Sequence, residues 1–321
     1  MVGTIKINLE IYKTIIATTV RYANAKIMEN EWAEVYGLCY GYIKGDDVIV
    51  TEVIPFTHTK KQRHILKVEF EEEDYALAAS IESEFYIKDP PQYIVGWYHS
   101  HPGIKLMLSS DDIRNQLAWQ TNNPLAVALV FNHVRLLKQI EVPARKGDPL
   151  KQLHLDIGMK AFRLDDPNRG IEAAFHEIPI AFTDYPVDEN FIANSQEFVN
   201  YVTKAFPRGT GVITDYQRFI DTTIMKLNEA YSGTKSYVQT LIRKNEASRI
   251  GEVVQTQAEQ VAKILDQGSA MVNIFRMMKN YLEYKEREPL LPQIEAILAQ
   301  WDQKTQGFIA KFNALTHTTQ M

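Results

Sequence analysis

The spacing of apolar residues changes period near Pro186, and that change confines the chain to an architecture of two unlike halves. Before it, short runs rich in β-branched and aromatic residues alternate with helical patterns. After it the alternation stops, and stripes of helical period take over. The chain is 321 residues long, and at roughly 150 residues per domain each half can bury a core of its own. The expected organisation is an α/β (α+β) domain over residues 1–185, with a mixed sheet flanked by helices, followed by a long-helix region over 186–321.

Within the first half, residues 8–29 carry Leu9, Tyr12, Ile15, Ile16, Val20 and Ile27 at spacings that suit one helix face. Residues 34–43 and 48–56 are short β-rich runs around Lys44-Gly45-Asp46-Asp47, which predicts a hairpin. A helix is expected from Glu71 to Ile87, closed before Asp89-Pro90-Pro91. Residues 93–101 form a buried strand, and a polar helix runs from Asp111 to Thr121. Further strands are expected at 125–131, 134–142, 153–164 and 171–182. In the second half a shorter helix at 191–206 precedes long ones at about 213–245, 250–287 and 292–315. Their breaks are expected near Ser232-Gly233 or Gly251 and at Glu288-Pro289. The stripe Val254, Val261, Ile264, Leu265 and Val272 needs a surface to bury against, which points to a helical bundle or coiled-coil pair used for assembly.

Composition removes several classes of function. With 35 basic against 40 acidic residues, net −5, the chain has no global positive field to hold nucleic acid or an anionic membrane. Lys13 interrupts the first apolar run, no cleavage site follows it, and no apolar stretch approaches a membrane span. Cys39 is the single cysteine, which excludes an internal disulfide framework and fits a reducing compartment: the cytosol, or also the nucleus in a eukaryote.

The informative stretch runs from Val95 to Gly103 and on to Asp112. Side chains alternate along a strand, so His99 and His101 project to the same side and can present two imidazoles to one ion. Ser109 stands three residues before Asp112 at an expected helix start, where a helix cap alone would account for both. Together they form HxHx7SxxD. Random placement of this chain's 8 His, 10 Ser and 16 Asp would produce that pattern in roughly three chains in ten thousand, so coincidence is a poor account of it. Two His and one Asp leave tetrahedral zinc an open position, the arrangement of catalytic sites and not structural ones. Hydrolysis there still requires a general base from elsewhere in the chain.

His99-Ser100-His101-Pro102-Gly103 through Ser109 and Asp112 resembles the JAMM signature of the MPN+ (MPN/JAB) zinc metalloproteases. The family's base is a glutamate opening an early strand, and Glu34-Val35-Tyr36-Gly37-Leu38-Cys39-Tyr40-Gly41 matches that context. The resemblance implies that His99, His101 and Asp112 bind Zn2+, that Glu34 activates the water at the zinc, and that Ser109 helps to hold the oxyanion. Ser100 is left as structural. The resemblance covers about residues 5–182 and is strongest toward the proteasome-lid deubiquitinase and signalosome deneddylase branch. Residues 161–164 and 175–180 are also similar to the MPN subunit of translation initiation factor 3. Met107 and Leu106 depart from the branch's tryptophan and cysteine, which puts the substrate-side wall of the groove in question.

The resemblance further implies an isopeptide substrate, a lysine conjugate of ubiquitin or a ubiquitin-like protein. By position, Thr57–Glu69 and Glu141–Asp156 are the insertions that would hold the modifier. His58, His64, His133, His154, His176 and His317 have no partner at ligand spacing and no expected metal role. The competing expectation is an assembly scaffold: an MPN subunit pairing with another MPN subunit or with its own copy, its helical tail joining a bundle. A zinc nucleobase deaminase needs an HxE and a CxxC, and a single cysteine cannot supply the latter.

Overall fold

The computed structural model describes residues 3–56, 72–138, 155–205, 212–285 and 287–318. The expected insertion at 57–69, most of that at 141–156, and His58, His64 and His154 lie outside the described residues. Two compact units are present, Met1–Arg208 and Gly209–Met321.

The first unit is built on one eight-stranded mixed sheet. Its elements are β1 (Ile5–Ile7), α1 (Leu9–Tyr22), β2 (Tyr36–Lys44), β3 (Asp47–Pro55), α2 (Glu72–Tyr86), β4 (Tyr93–Ser100), α3 (Ser110–Gln120) and β5 (Val127–Phe131), then α4 (His133–Lys138), β6 (Met159–Leu164), β7 (Phe175–Ile178), β8 (Ile180–Phe182) and α5 (Glu189–Ala205). The strand order is β7-β6-β5-β4-β2-β3-β1-β8. Only Pro179 separates β7 from β8, yet the two stand at opposite ends of this order. The sheet must therefore curl until its ends approach, and Ile5 N in β1 donates to the Pro179 carbonyl at 2.8 Å.

The β2–β3 hairpin turns at Gly45, as its sequence predicts, with φ at +65°. β2 sits inside the sheet, antiparallel to both β3 and β4, in a register that sets Tyr36 opposite His99. β4 runs parallel to β5 on its other side. That close approach explains Gly96, where an added Cβ would lie 2.2 Å from the Val127 carbonyl oxygen. Trp97, Tyr98 and His99 are consequently shut off from solvent in the middle of the sheet.

One expectation in this unit is corrected. Residues 134–142 do not open as a strand: 133–138 form α4, because the Asn132 side chain accepts from Val134 N at 2.9 Å and caps a helical turn that buries Leu136. A short apolar run carries too little periodicity to separate the two outcomes. The first compact unit extends through Arg208. α5 packs on α1, with Phe191 stacked on Tyr12 at 5.6 Å and Lys13 over the Phe198 ring, so its apolar face belongs to the first core.

The second unit contains α6 (Val212–Arg243), α7 (Ile250–Lys285) and α8 (Arg287–Thr318). Leu227 on α6, Val261 on α7 and Phe308 and Phe312 on α8 form one buried cluster; Val238, Leu241, Ile250 and Val254 form another. The predicted stripe on α7 is thus buried against its own neighbours. α6 runs straight through Ser232-Gly233, and its end is capped at Asn245, where the expected span of 213–245 closes. There φ is +61°, Asn245 N donates to the Ile242 carbonyl and Glu246 N to that of Leu241, the bonding pattern of a Schellman cap. Among the described residues, no helix is long and apolar enough to cross a membrane.

Candidate metal centre

β4 ends at Ser100, but the Phe131 carbonyl accepts from His101 N at 2.8 Å and continues the extended chain by one residue. The period-two alternation therefore holds across His99 and His101, and their Nε2 atoms stand 3.0 Å apart. Asp112 enters from α3. Ser109 caps that helix, accepting from Asp112 N at 3.2 Å, while Asp112 Oδ2 accepts from Ser109 N at 2.7 Å, completing a capping box. The cap and the candidate ligand are therefore the same residues. The box fixes the carboxylate so that Oδ1 lies 3.2 Å from His99 Nε2 and Oδ2 3.3 Å from His101 Nε2.

These separations can be set against the ion they would hold. Zinc bonds of about 2.0–2.1 Å in a tetrahedron place neighbouring ligand atoms about 3.3–3.4 Å apart; the two imidazole nitrogens here are 3.0 Å apart, Asp112 meets each of them with a different oxygen at 3.2 and 3.3 Å, and one ligand atom from each residue lies within 4.8 Å of the others. All three residues are buried, at 0, 3 and 2 % exposure. The protonation chemistry agrees with the distances. His101 Nδ1 lies 2.8 Å from the Lys105 carbonyl, which can only accept, so Nδ1 carries the hydrogen and Nε2 turns its lone pair inward. Burial pushes the His99 pKa down and keeps that ring neutral as well. For His101 burial acts in the same direction, but the hydrogen bonds to Asp112 and Lys105 and the charges of Glu34 and Asp112 outweigh it. Burial also opposes ionisation of Asp112, yet His99, His101 and the Ser109 side chain hold its carboxyl well below the usual range. Lone pairs from two imidazoles and a carboxylate converge on one point, which calls for a proton or a cation among them. The donor set fits zinc.

Glu34 lies two residues before β2, its side chain 4 % exposed and its Oε1 3.9 Å from His101 Nε2. Burial pushes its carboxyl up to about 7; His101 pulls the other way and Asp112 adds to the rise. The chain around it is held from both sides. Trp32 Nε1 lies 3.1 Å from the carbonyls of both Asn24 and Ile27, and its ring lies against Gly103, where a φ of +77° and a 3.1 Å clearance from Trp32 would strain any Cβ. Val35 is tied to Ser100 through main chain and side chain.

The structure thus brings His99, His101, Asp112 and Glu34 together, with Ser109 at the rim. Ser109 is exposed, and so are Ile104 and Met107 beside it. His133 instead packs edge-on to Trp32 at 5.2 Å, and His176 pairs with Asp165 at 2.5 Å. Among the described residues no other group of three His, Cys, Asp or Glu side chains converges in this way. Sequence reasoning missed what supports the site: the Ser100 link to Val35, the Lys105 carbonyl that orients His101, and the Trp97 ring stacked on His99 at 4.4 Å and 12°. Only Trp97 left a trace in the pattern, two residues before His99 on the same strand face.

Residues 2–124 match a family model described as JAB1/Mov34/MPN/PAD-1 ubiquitin protease. Over 78 residues the chain is 36% identical to the 26S proteasome regulatory subunit rpn11 of Schizosaccharomyces pombe, a match covering 24% of this chain and 20% of that protein. Over 108 residues it is 33% identical to the Lys-63-specific deubiquitinase BRCC36 of Xenopus laevis, covering 33% of this chain and 40% of that one. Over 47 residues it is 45% identical to the ubiquitin carboxyl-terminal hydrolase RPN11 of Saccharomyces cerevisiae, covering 15% of each. The chain spans well under half the length of each of these relatives.

Proposed function

Because residues 2–124 carry a JAB/MPN domain, we propose that the chain is a zinc-dependent isopeptidase that releases ubiquitin or a ubiquitin-like modifier from lysine conjugates. The observation that carries this reading is the presence of a buried carboxylate, Glu34, 3.9 Å from His101 in a site that already gathers two imidazoles and Asp112. Relatives named as deubiquitinases support the substrate class.

Zinc held by His99, His101 and Asp112 would supply Lewis acidity toward the scissile carbonyl and make water a better nucleophile near neutral pH. The protein's own groups do the rest. Glu34 accepts a proton from the attacking water and returns it to the lysine amine as the C–N bond breaks, leaving a carboxylate and a free amine. A carboxyl pushed toward 7 by burial suits both halves of that task, although a cation in the triad would draw the value down. Ser109, whose oxygen accepts from Asp112 N, would turn its hydroxyl proton from the Asp112 carboxylate to the developing oxyanion.

The test is Glu34→Gln, assayed on a panel of ubiquitin and ubiquitin-like conjugates with and without chelator, alongside metal analysis. Cleavage should be chelator-sensitive in the wild type and fall by about 10²–10⁴ in the variant, with zinc still bound. Undiminished turnover in the variant would remove Glu34 from the mechanism.

A second reading, an assembly subunit that pairs with another MPN domain or its own copy, is supported by the helical bundle and by exposed Met225, Tyr237, Ile242 and Ile309 in it. The two readings are compatible. A protein that acts only as a scaffold has no need of stoichiometric zinc.

A further inference from the structure

Asp112, Gln116 and Gln120 lie at successive i, i+4 positions of α3, on a single helix face, and all three are buried. Gln116 Oε1 accepts from Trp97 Nε1 at 2.9 Å, and its Nε2 donates to the Ala126 carbonyl at 2.8 Å and to Gln120 Oε1 at 3.0 Å. Gln120 Oε1 also accepts from Leu164 N at 2.9 Å, while its Nε2 donates to the Leu164 carbonyl at 2.8 Å. The Trp97 ring, at the near end of this ladder, is stacked on His99. One run of hydrogen bonds therefore begins beneath the first histidine, passes through the helix that carries the aspartate, and ends on the backbone of β6.

We propose that the Gln116–Gln120 ladder is a positioning device that holds α3 at the height and rotation over β4 that Asp112 needs to share a metal ion with His99. The proposal rests on the metal-binding reading of the triad. Its physical basis is the cost of leaving buried amide groups unpaired. Sliding or turning α3 would break bonds to β4, to the start of β5 and to β6 together, at amide groups buried away from solvent. An apolar side chain of equal volume would fill the space and permit several registers; directional bonds permit one. Asp112 Oδ1 stands 3.2 Å from His99 Nε2, a separation that a small rotation of α3 would spoil.

The full-length chain is tested with zinc itself, by competition against a chelator of known affinity, and with Co2+, whose visible absorption reports ligand geometry. Gln116→Met should bind zinc about 10- to 100-fold more weakly than wild type, the usual effect of losing a partner behind a ligand, with an altered Co2+ spectrum. Gln120→Met, one turn further away, should show a smaller loss and serves where the first variant does not fold. Val50→Ala, a core truncation on β3 away from the ladder, should leave zinc affinity unchanged. In an Asp112→Asn background the effect of Gln116→Met on residual metal affinity should vanish, whereas general loosening of the core would persist there. Wild type that takes up no metal overturns both this proposal and the functional reading. If wild type binds zinc and the glutamine variants bind it equally well, or if Val50→Ala weakens it as much, the positioning role alone is overturned.

Discussion

Ser100 and Val35 exchange two hydrogen bonds: the Ser100 amide donates to the Val35 carbonyl, and the Val35 amide donates to the Ser100 hydroxyl oxygen, each at 2.9 Å. The residue between the two histidines thus holds the neighbour of Glu34. Ser100→Ala removes one of the bonds and leaves a buried amide unpaired beside Glu34, the proposed base. Cleavage of a susceptible conjugate should fall about tenfold to a hundredfold in kcat, since small displacements of a reacting group carry penalties of that order. KM and zinc content should stay unchanged, and Ser100→Thr should restore the rate because it keeps the acceptor. Wild-type kcat in the alanine variant, or loss of its zinc, would argue against this.

Asp112 is part of a helix cap and the proposed third metal ligand, and two substitutions separate the roles. Asparagine keeps an oxygen to accept from Ser109 N but has no negative charge; alanine keeps neither. Both variants should lose stoichiometric zinc. In the presence of chelator, Asp112→Ala should unfold as if less stable than Asp112→Asn by about 1 kcal/mol, the worth of one capping hydrogen bond. Equal stability of the two by thermal unfolding would mean that the box contributes nothing.

What could be read from the sequence follows how local each signal is. His99 and His101 were placed by strand alternation alone, and the hairpin by a turn around Gly45, because each depends on neighbours within a few residues. Ser100 was not seen as functional: its partner Val35 lies 65 positions away, and no spacing rule encodes that pairing. Gln116 and Gln120 look like ordinary polar helix residues until β4 and β6 are in place around them. The end of α6 fell where the pattern over 213–245 placed it, but the residue that closes it was not singled out. Gly233 is tolerated within an exposed helix face, while Asn245, a less conspicuous breaker, takes the left-handed conformation that closes the helix.

His133 is 2 % exposed, with Nδ1 lacking a hydrogen-bond partner among the described residues, and burial pushes its pKa from 6.5 down to about 4. The folded state keeps the ring neutral, so between pH 6.5 and 4 the unfolded chain binds a proton that the folded chain does not. The stability linked to this group is therefore complete above pH 6.5 and is lost as pH falls toward 4, by up to about 3 kcal/mol. Chemical unfolding followed by tryptophan fluorescence at pH 7 and pH 4 should show the advantage of wild type over His133→Gln shrinking by that amount. A gap that does not change with pH would mean His133 titrates normally in the fold.

Two glycines in the helical unit should respond oppositely to the same substitution. A Cβ on Gly268 in α7 would lie 2.3 Å from Cη2 of Trp301, a buried ring that is stacked on Phe219 and has no room to swing aside. Gly268→Ala should therefore cost about 1–3 kcal/mol from overpacking, more than the 0.5–1 kcal/mol or so that alanine gains over glycine in a helix. Gly233 in α6 has nothing within 4 Å of its would-be Cβ. Gly233→Ala should stabilise the unit by about 0.5–1 kcal/mol through propensity alone. Thermal unfolding of the two variants should move the transition in opposite directions. A shift of the same sign in both would show that the α7–α8 contact at Trp301 is looser than this packing requires.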